Sequence, residues 1–372
     1  MNDHTLRLDK ALEQLKQRGL DGLIIYSNGA PSIMSPRYLH YFSGLKPMGP
    51  HNAMIISKSG DVALLVEPPW DSIRTSKKTW VSDVRGSSDF VADLTKIMRD
   101  FKIEGTVGIA GLMEMTENVY SGISGEAAIK PTNDIIEEIA GEKTEEEISL
   151  ARKTGRVADV GFKAFMEYAR PGIREYELSA EVGCAMRSEG ADDIFILLSA
   201  GKHNRNMHAP TDKRLMEGDT VIGEITPVCE GQTIQLCRTL VLGKSDPVLA
   251  EKYGMLVRAL KASLQQIKAG VPASVISIAM NEIISEAGYA KYCYPPYMRA
   301  RGHGFGVGSI APGTLIDDET KTNLEKGQVV IAHPNQYILE TGYLACGETV
   351  LVTATGMERL SETETKLYSK EV

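Results

Sequence analysis

Cysteine is scarce and unpaired in this sequence. The five cysteines, Cys184, Cys229, Cys237, Cys293 and Cys346, are odd in number, scattered, and form no Cys-x-x-Cys pair. That spacing argues against a disulfide framework and a zinc knot, and it points to reduced thiols. Basic charge is also short. Lys and Arg total 41 against 49 Asp and Glu, the formal net charge is −8, and no Lys- or Arg-rich run breaks the pattern. A nucleic acid or an anionic membrane surface would call for a basic patch, so neither is expected as a partner. Long apolar runs are missing too. Met1-Asn2-Asp3-His4 leads straight into a charged amphipathic segment, and nothing approaches a signal h-region or a membrane span. The expectation is a cytoplasmic chain acting on a small molecule.

What is present is enough sequence for two cores. At 372 residues the chain exceeds what one core usually fills. Residues 6–18 put Leu8, Leu12 and Leu15 on one helical face, with Gly19 as a C-cap before the buried run Leu23-Ile24-Ile25-Tyr26. Strands are expected at Ala53–Ile56 and Val62–Val66, joined by a turn through Gly60-Asp61, and another at 105–110. Thr144-Glu145-Glu146-Glu147 reads as a capping box opening a long helix to about Tyr168, stopped by Pro171-Gly172. Helical spacing recurs over 175–188, 247–268 and 273–287. Extended runs are expected at Thr220–Thr226, Gln232–Leu242, Val329–Ala332 and Thr349–Thr353. The boundary is set at 1–138 and 139–372. The first part reads as a small α/β domain, the second as helices packed on a curved, largely antiparallel sheet, α+β overall.

Four of the seven histidines, His203, His208, His303 and His333, lie in polar or glycine-rich stretches of the second part. In Arg301-Gly302-His303-Gly304-Phe305-Gly306 the alternating glycines clear space around one imidazole. No Lys-Ser/Thr pair follows, so this is not a phosphate loop. Glu224, in Thr220-Val221-Ile222-Gly223-Glu224, is an acid in an apolar strand and costly to bury without a partner. It is therefore a candidate site carboxylate. His208, in Asn204-Arg205-Asn206-Met207-His208, sits in a loop ahead of the Gly218-Asp219 turn.

The order Gly218-Asp219, Arg238-Thr239, Gly302-His303-Gly304-Phe305-Gly306, Val330-Ile331-Ala332-His333-Pro334 and Glu348-Thr349-Val350-Leu351-Val352-Thr353 resembles the pita-bread family of aminopeptidase P, prolidase, methionine aminopeptidase and creatinase. The resemblance spans about 140–372. More loosely, residues 1–135 resemble the creatinase-type N-terminal domain, with Tyr41-Phe42-Ser43-Gly44 at a motif of that domain. It implies a pita-bread second domain, a creatinase-type first domain and a homodimer. In the family's metallopeptidases, metal ions are held by Asp, His and Glu. The corresponding positions here carry Glu224, Gln235, His303, His333 and Gly347. Neutral Gln235 and Gly347 stand where anionic bridges would hold two ions together, so a dinuclear centre and a metal cofactor are not expected.

The resemblance then points to the metal-independent, creatinase-like branch: a hydrolase cleaving a C–N bond of a small amino-acid-derived compound. On this reading His208 is the catalytic acid/base, Glu224 orients the substrate, and His303 and His333 stabilise charge. Gln235, Cys237, Arg301 and Arg205 contact substrate, the arginines through a carboxylate. Two alternatives stand beside it. One is a mononuclear metal hydrolase or lyase of the Xaa-Pro peptidase kind on Glu224, His303 and His333. The other is a catalytically inactive domain used for binding.

Overall fold

The computed structural model describes residues 3–30 and 32–372; Met1, Asn2 and Pro31, with the expectation placed on the first two, lie outside them. The chain divides into two compact units. One runs up to Glu142 and includes Val307–Ser309; the other holds Lys143–Gly306 and Ile310–Val372.

The first unit is built on a six-stranded sheet of β1 (Gly22–Ser27), β2 (Asn52–Ser57), β3 (Val62–Val66), β4 (Asp83–Gly86), β5 (Thr106–Ala110) and β6 (Ala128–Pro131), in the order β4-β3-β2-β1-β5-β6. The β2–β3 pair is the expected hairpin, with Gly60 at φ +94° in its turn. β1, β5 and β6 run parallel. All six residues of β1 are buried. Period-two alternation sends Leu23 and Ile25 into one apolar cluster with Ala11 and Leu15 of the helix Asp3–Arg18, and Ile24 and Tyr26 into another with Leu94 and Ile97 of the helix Phe90–Asp100. Helices thus cover both faces, which is why the strand reads as a continuous apolar run.

The second unit opens with the helix Glu145–Tyr168. Its capping box has formed: Glu147 N–H donates to Thr144 Oγ1 at 3.2 Å, and Thr144 N–H to the Glu147 carboxylate at 2.9 Å. Helices Glu175–Ser188, Pro247–Gln266 and Val275–Ile284 follow the expected periodicity. The last is shorter than 273–287 because Gly288, at φ 92°, leaves helical geometry in the following turn.

Three sheets carry the unit. β7 (Asp193–Gly201), β8 (Thr220–Cys229), β9 (Gln232–Thr233), β10 (Leu236–Leu242) and a late strand Tyr368–Lys370 form one, with β8 between β7 and β10 and antiparallel to both. β11 (Gly302–Phe305) and β12 (Val329–Ala332) belong to a second, in which β12 also pairs antiparallel with Glu348–Val352. β13 (Asn335–Ile338) and β14 (Gly342–Ala345) form a hairpin. The expected single run Gln232–Leu242 is broken at Ile234-Gln235, between β9 and β10. Gln235 is locked there by Thr349, whose Oγ1 accepts from the Gln235 N–H at 3.1 Å and donates to its carbonyl at 2.6 Å.

Candidate functional site

Every residue of β8 is buried, so Glu224 is an acid in a fully covered strand. Register sets it opposite Leu197 of β7 and Cys237 of β10. Its partner comes from the segment before β11: Arg299 Nη1 lies 3.1 Å from Glu224 Oε2. The carboxylate side chain is 4% exposed and the arginine 42%, so the guanidinium spans from solvent to a buried anion. Burial pushes the Glu224 carboxyl upward against the pull of Arg299 and Gln235. Burial likewise raises the Cys237 thiol well above its ordinary range, keeping it a neutral packing group. Tyr343, buried on β14, interacts with both Arg299 and Glu224.

The two imidazoles arrive on neighbouring strands. His303 lies on β11 and pairs with Ile331 of β12, while His333 follows β12 directly. Their ring centroids are 5.5 Å apart in an edge-to-face arrangement. Burial lowers His303 to about 4, and lowers His333 too, helped by His303, Arg299 and Arg301. Both are therefore neutral near pH 7.

Their tautomers follow from their neighbours. His303 Nδ1 lies 3.2 Å from the Gly304 carbonyl, which can only accept, so Nδ1 carries the hydrogen and Nε2 a lone pair. His333 Nδ1 lies 3.2 Å from Asn335 Nδ2, whose amide hydrogens point to the carbonyls of Ala300 and His333 at 2.9 and 2.8 Å. An amide nitrogen cannot accept, so His333 carries its hydrogen on Nε2. That atom is buried and has no hydrogen-bond partner among the described residues.

The glycines around His303 serve backbone packing. A Cβ on Gly304 would stand 2.2 Å from the Ile310 carbonyl oxygen, and one on Gly302 2.5 Å from that of Ile331. A Cβ on Gly347 would stand 2.6 Å from His333 Cβ and 3.2 Å from Cys237 Cβ, which places Gly347 within the same cluster.

The residues singled out in the sequence separate into two groups. Glu224, Gln235, Cys237, His303 and His333 come together. Arg301 is fully buried, and its guanidinium donates to Asn281 Oδ1, the Asn335 carbonyl and Gln336 Oε1 at 2.8, 2.7 and 2.9 Å. The arginine that reaches Glu224 is Arg299 instead. It precedes the strand, so alternation could not orient it. Arg205 is exposed and makes no side-chain hydrogen bond among the described residues. His208 is bonded through Nδ1 to the Ala209 carbonyl at 2.9 Å and lies 3.8 Å from Glu175. Glu175 is fully buried and also accepts from Ala200 N–H, Thr211 N–H and the Thr211 hydroxyl, pinning that loop to a helix start. His203 bonds to the Leu339 carbonyl. Sequence reasoning missed Arg299 and Tyr343; the only signal was their polarity beside apolar strands.

Residues 149–354 match Metallopeptidase family M24, and residues 7–139 match the Creatinase/Prolidase N-terminal domain. An Xaa-Pro dipeptidase of Pyrococcus furiosus is 27% identical over 365 residues, covering 97% of this chain and 99% of the relative. The uncharacterized peptidase YqhT of Bacillus subtilis is 25% identical, with 97% and 99% covered. Among solved structures, the prolidase from Pyrococcus furiosus superposes with a TM-score of 0.80 at 25% identity, covering 95% of this chain and 99% of that one. The X-Pro aminopeptidase from Thermotoga maritima shares the fold with a TM-score of 0.85 at 21% identity, covering 98% and 99%. The expected α+β architecture, a pita-bread domain behind a creatinase-type N-terminal domain, is the architecture found.

The expected chemistry is corrected. Relatives named Xaa-Pro dipeptidases, within a metallopeptidase family, overturn the creatinase-like, metal-independent reading of this hydrolase.

The family implies a metal, and the donor set answers whether these residues suit one. Among the described residues, no three His, Cys, Asp or Glu side chains converge as a metal site. Glu224 is bound to a guanidinium, and Gln235 and Gly347 offer no anionic oxygen. His333 presents Nε2–H where a ligand needs a lone pair. Only His303 Nε2 is ready to coordinate, so as arranged the site does not fit the family's metal centre.

Proposed function

Because the chain belongs to Metallopeptidase family M24, we propose that it is a hydrolase of short peptides of the Xaa-Pro class, acting at the cluster of Glu224, Arg299, His303, His333 and Tyr343. The observation that carries this reading is the end-to-end match to an Xaa-Pro dipeptidase, 97% of this chain against 99% of that relative. The cluster supports it by lying on or beside strands of the matched segment. Arg299 and the Nε2–H of His333 are donors for oxygen atoms of a peptide, and the His303 lone pair is an acceptor for its N–H. These residues bind and orient the ligand. The net charge of −8 supports a small-molecule ligand over nucleic acid. The reading includes a homodimer and a cytoplasmic location, which light scattering and cell fractionation test.

A second reading, ligand binding without turnover, is favoured by one observation: Arg299, Gln235 and Gly347 stand where a metallopeptidase needs a cation and its carboxylates. Purified protein incubated with glycyl-proline and alanyl-proline, alone and with Mn²⁺, Co²⁺ or Zn²⁺, separates the two. Proline release in at least one condition is the expected result. Calorimetric binding without release in all of them establishes the second reading, and absence of both binding and release refutes the proposal.

A further inference from the structure

We infer that the centre of this site is an anion pocket, in which a carboxylate of the ligand is held by Arg299, Tyr343, His333 and Gln235. The inference deepens the short-peptide reading and rests on it. His333, Gln235 and Tyr343 are 2%, 4% and 2% exposed, and among the described residues His333 Nε2, Gln235 Nε2 and Tyr343 Oη each find no partner in hydrogen-bond geometry, although Gln235 faces Glu224 and Tyr343 faces Arg299. Unsatisfied buried polar atoms are uncommon, and three in one cluster mark a place that a ligand completes.

Their chemistry chooses the ligand. The imidazole Nε2–H and the amide nitrogen only donate, and the phenol hydroxyl can donate. Arg299 adds a permanent cation, of which Nη1 alone is engaged with Glu224. Glu224 is the one anion of the cluster and is already neutralised by that contact. A metal site presents lone pairs to a cation; this cluster presents hydrogens to an anion, so the polarity of the site is reversed. A carboxylate, with two oxygens and about four lone-pair directions, matches a fork of arginine N–H groups and converging neutral donors. A free carboxylate is also what a short peptide carries at its C-terminus.

Calorimetry with glycyl-proline, glycyl-proline amide and free proline tests this on the full chain, beside Tyr343→Phe and Arg299→Met. Tyr343→Phe keeps the ring and removes only the hydroxyl, and circular dichroism with thermal melting confirms that each variant is folded. The wild type is expected to bind the free acid at least about tenfold more tightly than the amide. Each variant is expected to lose that discrimination, its affinity for the acid falling to within about twofold of its own affinity for the amide. Equal binding of acid and amide by the wild type, or discrimination surviving in both variants, overturns the inference while leaving the peptide reading standing. Binding of proline without either dipeptide upholds the anion pocket and overturns the peptide reading. Failure of both proline and glycyl-proline to bind overturns the anion pocket.

Discussion

Replacing Arg301 by Met removes a cation from a position with no solvent exposure and leaves its acceptors behind. The Asn335 carbonyl and Gln336 Oε1 receive hydrogen bonds of 2.7 and 2.9 Å from this guanidinium, and both residues are buried. Asn281 Oδ1 loses a third bond of 2.8 Å. Two buried acceptors left unpaired cost about 1–3 kcal/mol each, or about 2–6 kcal/mol together. Burial itself pulls the Arg301 guanidinium down from its ordinary value, so removing the charge returns part of that cost. A net loss of about 3 kcal/mol is the expected outcome. Urea unfolding followed by circular dichroism, compared at constant m-value, reads it directly. Arg301→Lys keeps the charge but cannot reproduce the fork, and should fall between. A stability within about 0.5 kcal/mol of wild type for Arg301→Met would refute the bracing role. So would an unchanged stability in Arg301→Lys accompanied by weaker peptide binding, because that pattern belongs to a ligand contact.

Gly347→Ala would bring a Cβ to 2.6 Å from His333 Cβ, neither of which is a flexible end. A loss of about 1–3 kcal/mol is expected, largely recovered in His333→Gly/Gly347→Ala, and a double-mutant cycle with no coupling would show that the strands part freely. For pH, Asp21 is held below 3.8 chiefly by Lys58, with Thr106 N–H also donating to it at 3.0 Å. A depressed carboxylate contributes stability that is complete above its unfolded value and lost as pH falls through the folded one. Asp21→Asn should therefore flatten the decline in melting temperature below pH 3.8 and leave the profile above pH 5 parallel to wild type.

Local chemistry in the chain was legible wherever it acts over a few residues. Thr144 and Glu147 name their helix start, because both halves of a capping box lie within one turn. Leu23 to Tyr26 read as a buried strand because their alternation serves two apolar faces. The strand Asp193–Gly201 went unread, and the run Gln232–Leu242 was read as continuous. Its break depends on Thr349, a residue 114 positions away.

The site divides along the same line. Motif order along the chain was enough to indicate the family architecture, and spacing marked Glu224, His303 and His333 as polar groups out of place. Which partner each would find was a matter of three dimensions. Arg299 and Arg301 are two positions apart and chemically identical, yet one closes on Glu224 and the other disappears beneath β13. The His333 tautomer is set by an amide whose own orientation is set by Ala300 and the His333 carbonyl. Side-chain type and periodicity are local properties, so the sequence by itself determined the elements and the residues with chemical capacity. Hydrogen-bond direction, burial and charge pairing depend on what lies across the fold, so only the tertiary structure decided that Glu224 pairs with Arg299 and that His333 turns its Nδ1 to Asn335.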